Sequence, residues 1–153
     1  MLQIGEKAPD FTAPGQGGEP FSLSDALGKQ IILYFYPRDD TPGCTTEALD
    51  FTARMNDFAQ ANTIVVGVSK DSVEKHVKFI KKHDLNVILV SDEHTTICED
   101  YGTWVEKKMY GKTFMGIDRT TFLINEQGEI ANIWTKVKVP GHVDAVLDAV
   151  KQK

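Results

Sequence analysis

The chain has 153 residues, 41% of them hydrophobic and 25% charged, and a formal net charge of −5. That is the make-up of a globular chain long enough to bury a sizeable core, not of a disordered one. The acidic balance argues against a nucleic-acid or anionic-membrane surface, and no apolar run approaches the ~20 residues that cross a bilayer.

The first residues, Met1-Leu2-Gln3-Ile4-Gly5-Glu6-Lys7, lack the basic-then-apolar layout of a secretory leader. Two cysteines, Cys44 and Cys98, make no disulfide framework. They fit a reducing, cytoplasmic setting in which a cysteine serves chemistry more often than structure. One domain over residues 1–153 is expected.

In residues 1–30, Pro9, Pro14, Gly15, Gly17, Gly18 and Pro20 interrupt short apolar pieces, which predicts a small hairpin. Residues 24–27 predict one helical turn ended by Gly28. Residues 31–36 predict a strand and 44–61 a helix. A strand over 63–69 is followed by a helix over 72–83, with Val73, Val77 and Ile80 at helical spacing. A strand over 87–90 leads to a short helix near 95–101. Residues 102–119 read as a long loop whose Trp104, Tyr110, Phe114 and Met115 belong mostly to the core. Strands over 120–125 and 130–136 flank a hairpin turn at 126–129. A final helix from about 141 to 150 places Val143, Val146, Leu147 and Val150 on one face. This alternation predicts a mixed α/β sheet with helices on both faces.

The chemistry concentrates in Pro37-Arg38-Asp39-Asp40-Thr41-Pro42-Gly43-Cys44-Thr45-Thr46-Glu47, between the first long strand and its helix. Thr41 suits the N-cap, and Pro42 suits the first helical position. Cys44 then falls in the first turn, beside unpaired N–H groups and the positive end of the helix dipole. Such placement takes a cysteine pKa from ~8.5 into a range of ~3.5–7.5. The bland alternative is a buried cysteine acting as a small hydrophobe. Thr41 offers a hydroxyl to a bound oxygen, and Pro37 would stiffen the loop and shield the thiol. Taken alone, Glu47 complements a helix start or sits on a solvated face, and Arg119 is an unremarkable residue before a strand. No redox CxxC is present, the four histidines form no zinc spacing, and His142 reads as a surface residue at a helix start.

The pattern Pro37-x-x-x-Thr41-x-x-Cys44 resembles the active-site signature of the peroxiredoxins. The string TPGCTTEALDF resembles the peroxiredoxin Q, or bacterioferritin comigratory protein, branch. The resemblance runs through GEKAPDFTAP, VVGVSKDS, LVSDEHTTICEDYG and KKMYGKTFMGIDRTTFLI, and so covers nearly the whole chain. It implies a thioredoxin-like fold, a central mixed sheet flanked by helices, with an N-terminal hairpin extension. It implies a thiol peroxidase for hydrogen peroxide and organic hydroperoxides. Cys44 would be the nucleophile that becomes a sulfenic acid, Thr41 and Arg119 would hold the peroxide oxygens, Pro37 would exclude water, and Glu47 would orient Arg119. No metal or organic cofactor is implied. The reductant would be thioredoxin, glutaredoxin or a small thiol, and the protein a monomer or weak dimer without nucleic-acid or membrane partners. Where the branch usually carries a resolving cysteine, this chain has Leu49 and, over 77–80, no cysteine. A one-cysteine cycle is therefore expected, with Cys98 a small apolar residue and not a resolving thiol. A redox-responsive binding protein or chaperone switched by Cys44 is the alternative from another class.

Overall fold

A computed structural model describes residues 2–152. In chain order the elements are β1 (Thr12–Pro14), β2 (Pro20–Ser22), a 3-10 turn (Leu23–Ala26), β3 (Gln30–Phe35), α1 (Pro42–Ala53), α2 (Met55–Gln60), β4 (Thr63–Ser69), α3 (Val73–His83), β5 (Ile88–Ser91), α4 (Ile97–Asp100), β6 (Trp104–Met109), β7 (Lys112–Ile117), β8 (Thr120–Ile124), β9 (Ile130–Trp134) and α5 (His142–Lys151). Five strands form the central sheet in the order β5-β4-β3-β8-β9. β3, β4 and β5 run parallel, while β8 is antiparallel to β3 and β9 antiparallel to β8.

β3 sits mid-sheet because its apolar residues face both ways. Ile31, Leu33 and Phe35 enter one core with Phe11, Val68, Cys98 and Tyr101. Ile32, Tyr34 and the following Tyr36 enter the other, with Cys44, Phe51, Phe58, Phe79 and Val146. The sequence reads as a near-continuous hydrophobic run, as a strand buried on both faces must. The two cysteines thus lie in cores on opposite faces of the sheet.

The steps β3 to β4 and β4 to β5 move the same way across the sheet. Right-handed crossovers then put α1, α2 and α3 on one face, and α5 joins them there. The other face is covered by the N-terminal segment and α4. Helices do occupy both faces, as the alternation predicts, but on the second face this amounts to one turn.

Three local expectations change. The helix over 44–61 is two helices, interrupted at Arg54 (φ −109°, ψ 8°). The buried face of α3 holds His76 and Phe79, while Val77 is 44% exposed. The supposed loop over 102–119 is a hairpin, β6–β7, turning at Tyr110 (φ 52°) and Gly111 (φ 76°). Met109, Tyr110, Phe114 and Met115 on that hairpin are exposed rather than core. Trp104 at its base is half-buried, packs on the core and lies under Lys70 Nζ, 5.2 Å from the ring centre. Among the described residues no helix is long and apolar enough to cross a membrane.

Candidate active site

Residues 37–41 are pinned from inside and outside. The Tyr36 hydroxyl donates to Asp39 Oδ1 at 2.6 Å, and His76 Nδ1 lies 2.6 Å from Asp39 Oδ2. His76 Nε2 is 3.1 Å from the Val90 carbonyl, so it carries a proton. The Asp39 N–H donates to Asp71 Oδ2 at 2.8 Å. At the surface, Asp40 takes the left-handed conformation (φ 60°), which aspartate tolerates better than most residues. It accepts from Lys82 Nζ at 2.7 Å and meets His83 Nε2 at 2.8 Å. Ligand atoms of Asp39, Asp71 and His76 lie within 4.8 Å of one another. Each residue is already engaged in these hydrogen bonds, so the cluster fastens the loop to α3.

Thr41 stands at the N-cap of α1 with extended backbone, but its side chain makes no capping bond. Its hydroxyl donates instead to the Arg38 carbonyl at 2.9 Å. The first-turn N–H groups are left uncapped by that side chain, and Oγ1 keeps its lone pairs for another donor. Pro37 is exposed at the start of the loop.

Cys44 is the third residue of α1 and is 2% exposed. Arg119, between β7 and β8, brings its guanidinium to the thiol. Nη2 donates to Cys44 Sγ at 3.3 Å, and Nη1 donates to Glu47 Oε1 at 2.6 Å. Burial works against the Arg119 charge, but Glu47 and Cys44 outweigh it and raise the pKa above its ordinary value. Glu47 is fully buried, and its Oε2 has no hydrogen-bond partner. Burial pushes its carboxyl up to about 7, with Arg119 pulling the other way. Gly43 matters to this approach, because a Cβ there would stand 3.2 Å from Arg119 Nη2.

The structure joins Cys44, Glu47 and Arg119, all expected at the site, by direct bonds. Thr41 stands at the helix start beside them, and Pro37 lies further back along the loop. Gly43, whose only signal in the sequence is a Pro-Gly pair before the cysteine, and the Asp39–His76 pair, whose partners are 37 residues apart, are additions that the structure makes to the site. His142 is not a surface residue. It is 7% exposed, its Nε2 is 2.9 Å from Thr121 Oγ1, and burial, aided by the Arg119 charge, pushes its pKa down to about 4. Cys98 is wholly buried, and burial together with the Asp92 carboxylate pushes its thiol far up.

The AhpC/TSA family model matches residues 4–133. A putative peroxiredoxin Bcp of Coxiella burnetii is 51% identical over 146 residues, covering 95% of this chain and 97% of that protein. Peroxiredoxin Bcp of Bacillus subtilis is 48% identical over 150 residues, covering 98% and 96%. Among solved structures, the Xanthomonas campestris bacterioferritin comigratory protein, studied for alkyl peroxide reduction in trapped intermediate and ligand complexes, superposes with a TM-score of 0.91. It is 41% identical, with 97% of this chain and 98% of that one covered. Matches of this extent, to sequences and structures alike, establish that the chain belongs to the AhpC/TSA family, on its peroxiredoxin Q (Bcp) branch.

Proposed function

We propose that Cys44 is the thiol with which this peroxidase reduces hydrogen peroxide and organic hydroperoxides. The observation that carries the assignment is one guanidinium bonded to both Cys44 Sγ and the buried Glu47. That guanidinium nitrogen, 3.3 Å from sulfur, is placed to bond a charged nucleophile and the oxygen it attacks. The thiolate attacks the terminal oxygen of a hydroperoxide, a sulfur–oxygen bond forms and the O–O bond breaks. Sulfur gives up two electrons, and Cys44 becomes a sulfenic acid. Arg119 and the uncapped first-turn N–H groups stabilise charge on the departing oxygen. Thr41, whose own proton is committed to Arg38, accepts the peroxide O–H. Pro37 limits water at the thiol.

The cycle uses one cysteine. The burial of Cys98, its raised pKa and its position across the sheet from Cys44 all favour this reading. The sulfenic acid is returned to thiol by an external reductant: thioredoxin, glutaredoxin or a small thiol. The chain acts as one domain, a monomer or weak dimer, in a reducing cytoplasm. The alkyl peroxide reduction studied in the Xanthomonas campestris relative makes organic hydroperoxides the first substrates to try.

Stoichiometric peroxide followed by intact mass and peptide mapping tests the assignment. One added oxygen on Cys44 is expected, with no Cys44–Cys98 link, and Cys44→Ser should consume no peroxide. A linked Cys44–Cys98 peptide overturns the one-cysteine cycle, and turnover by Cys44→Ser overturns the assignment of Cys44.

A further inference from the structure

Glu47 is unusual for a residue in an ion pair. Its side chain is fully buried, yet only Oε1 is paired, while Oε2 has no partner. An ionised carboxylate spreads its charge over both oxygens, so a buried anion here would leave half of that charge unsolvated. A neutral acid accepts the Arg119 bond on its carbonyl oxygen and leaves only an uncharged O–H unpaired. The same guanidinium holds Cys44 Sγ on its other nitrogen. One cation therefore faces two ionisable partners one turn apart on α1, and their protonation is coupled through it.

Building on Cys44 as the peroxidatic thiol, we propose that Glu47 stores the proton of the reaction: it is a neutral acid while Cys44 is a thiolate, and it ionises when Cys44 is oxidised. Before reaction the thiolate compensates Arg119, so Glu47 need not. Oxidation turns the thiolate into an uncharged sulfenic acid, Arg119 loses its anion, and the ionised form of Glu47 becomes the favoured one. The balance is complete. Thiolate, hydroperoxide and Glu47 acid give sulfenic acid, alcohol or water, and Glu47 carboxylate: the sulfenic acid keeps the hydrogen of the attacked oxygen, and the leaving oxygen ends with the proton that Glu47 gives up. The rise of Glu47 to about 7, caused by burial, opposed by Arg119 and increased by Asp50, places this exchange near neutrality. Other titratable groups surround the pair. Tyr34 on β3 has its pKa pushed well up by burial and then by Glu47. Asp39 is paired with His76, and His142 at the start of α5 stays neutral down to about pH 4.

Proton uptake separates this from a Glu47 that only orients Arg119. The protein is mixed with one equivalent of an organic hydroperoxide in weakly buffered solution containing a pH indicator. The pH is kept where absorbance shows Cys44 to be thiolate. Below the Glu47 titration, wild type should take up no proton per sulfenic acid formed, and uptake should rise to one as pH passes through it. Glu47→Gln should take up one proton across the whole range. Ionisation of the sulfenic acid itself would make uptake fall with rising pH, the opposite sign. Equal uptake by both proteins, or uptake by wild type that is flat or falls with pH, overturns the proposal. The wild-type profile decides the matter even where Glu47→Gln fails to fold. Mass analysis of the same samples reports sulfenic acid separately, so a failure of Cys44 to oxidise is distinguished from a failure of the proton store.

Discussion

Arg119 does two things through one planar group. Its two terminal nitrogens point at different partners, Cys44 Sγ and Glu47 Oε1, which only a fork of donors achieves. Arg119→Lys retains the charge and loses the fork. An ammonium left on the Glu47 side abandons the thiol, and one moved to the thiol leaves Glu47 buried with neither oxygen paired. The expected result is a peroxide rate reduced about 10²-fold, the cost of removing a donor from a developing oxyanion. Stopped-flow oxidation of the variant measures it, and an unchanged rate would remove Arg119 from the site. At this scale the sequence was informative where the motif is continuous. Thr41, Cys44 and Glu47 lie within one loop and one turn of helix. His142 was misread because what buries it, Thr121, Phe51 and Trp134, comes from three other elements.

The β6–β7 hairpin is held together by its own six-pair register. Its turn places Tyr110 at φ 52° and Gly111 at φ 76°, the geometry of a two-residue hairpin loop that favours Asn-Gly. A tyrosine side chain meets its own carbonyl in that conformation, whereas asparagine tolerates it. Tyr110 is 96% exposed and has no packing to lose. Tyr110→Asn should therefore stabilise the protein by up to about 1 kcal/mol, read as a higher urea midpoint; a lower midpoint would show that Tyr110 makes contacts that matter. The same atypical Tyr-Gly turn explains why these residues read as a loop. Without Asn-Gly or Asp-Gly the hairpin signal is weak, and three exposed apolar residues, Tyr110, Phe114 and Met115, looked like core. β3 and the start of α1 were legible because burial on both faces and a Thr-Pro cap leave clear marks in sequence. The break at Arg54 leaves none, since neither proline nor glycine stands there. On α3, Val77 fits the apolar spacing but loses the inward position to His76, whose ring is required by Asp39.

Over the whole molecule, two buried groups set opposing responses to pH. His142 has a folded pKa of about 4 against an ordinary 6.5. The unfolded chain takes up that proton first, so stability is full above about 6.5 and is lost as pH falls towards 4. Glu47 is raised from 4.5 to about 7. Its contribution is full below 4.5 and is lost as pH rises through 7. Each slope amounts to about 3 kcal/mol at its limit, so in the native protein they largely offset one another between pH 4.5 and 6.5. Glu47→Gln should expose the His142 slope, with the urea midpoint dropping as pH falls from 6.5 to 4. His142→Gln should expose the Glu47 slope, with the midpoint dropping as pH rises from 4.5 to 7. Flat profiles in both variants would contradict the pairing. The separation of Arg119 from Cys44 in the chain has a consequence during synthesis. The guanidinium that bonds the thiol is encoded 75 residues after it, which is about 4 to 15 s later on a translating ribosome. It reaches Cys44 only after β8 has paired with β3. A nascent chain therefore emerges with its cysteine still lacking that cation, and the thiol gains it only when the sheet is closed.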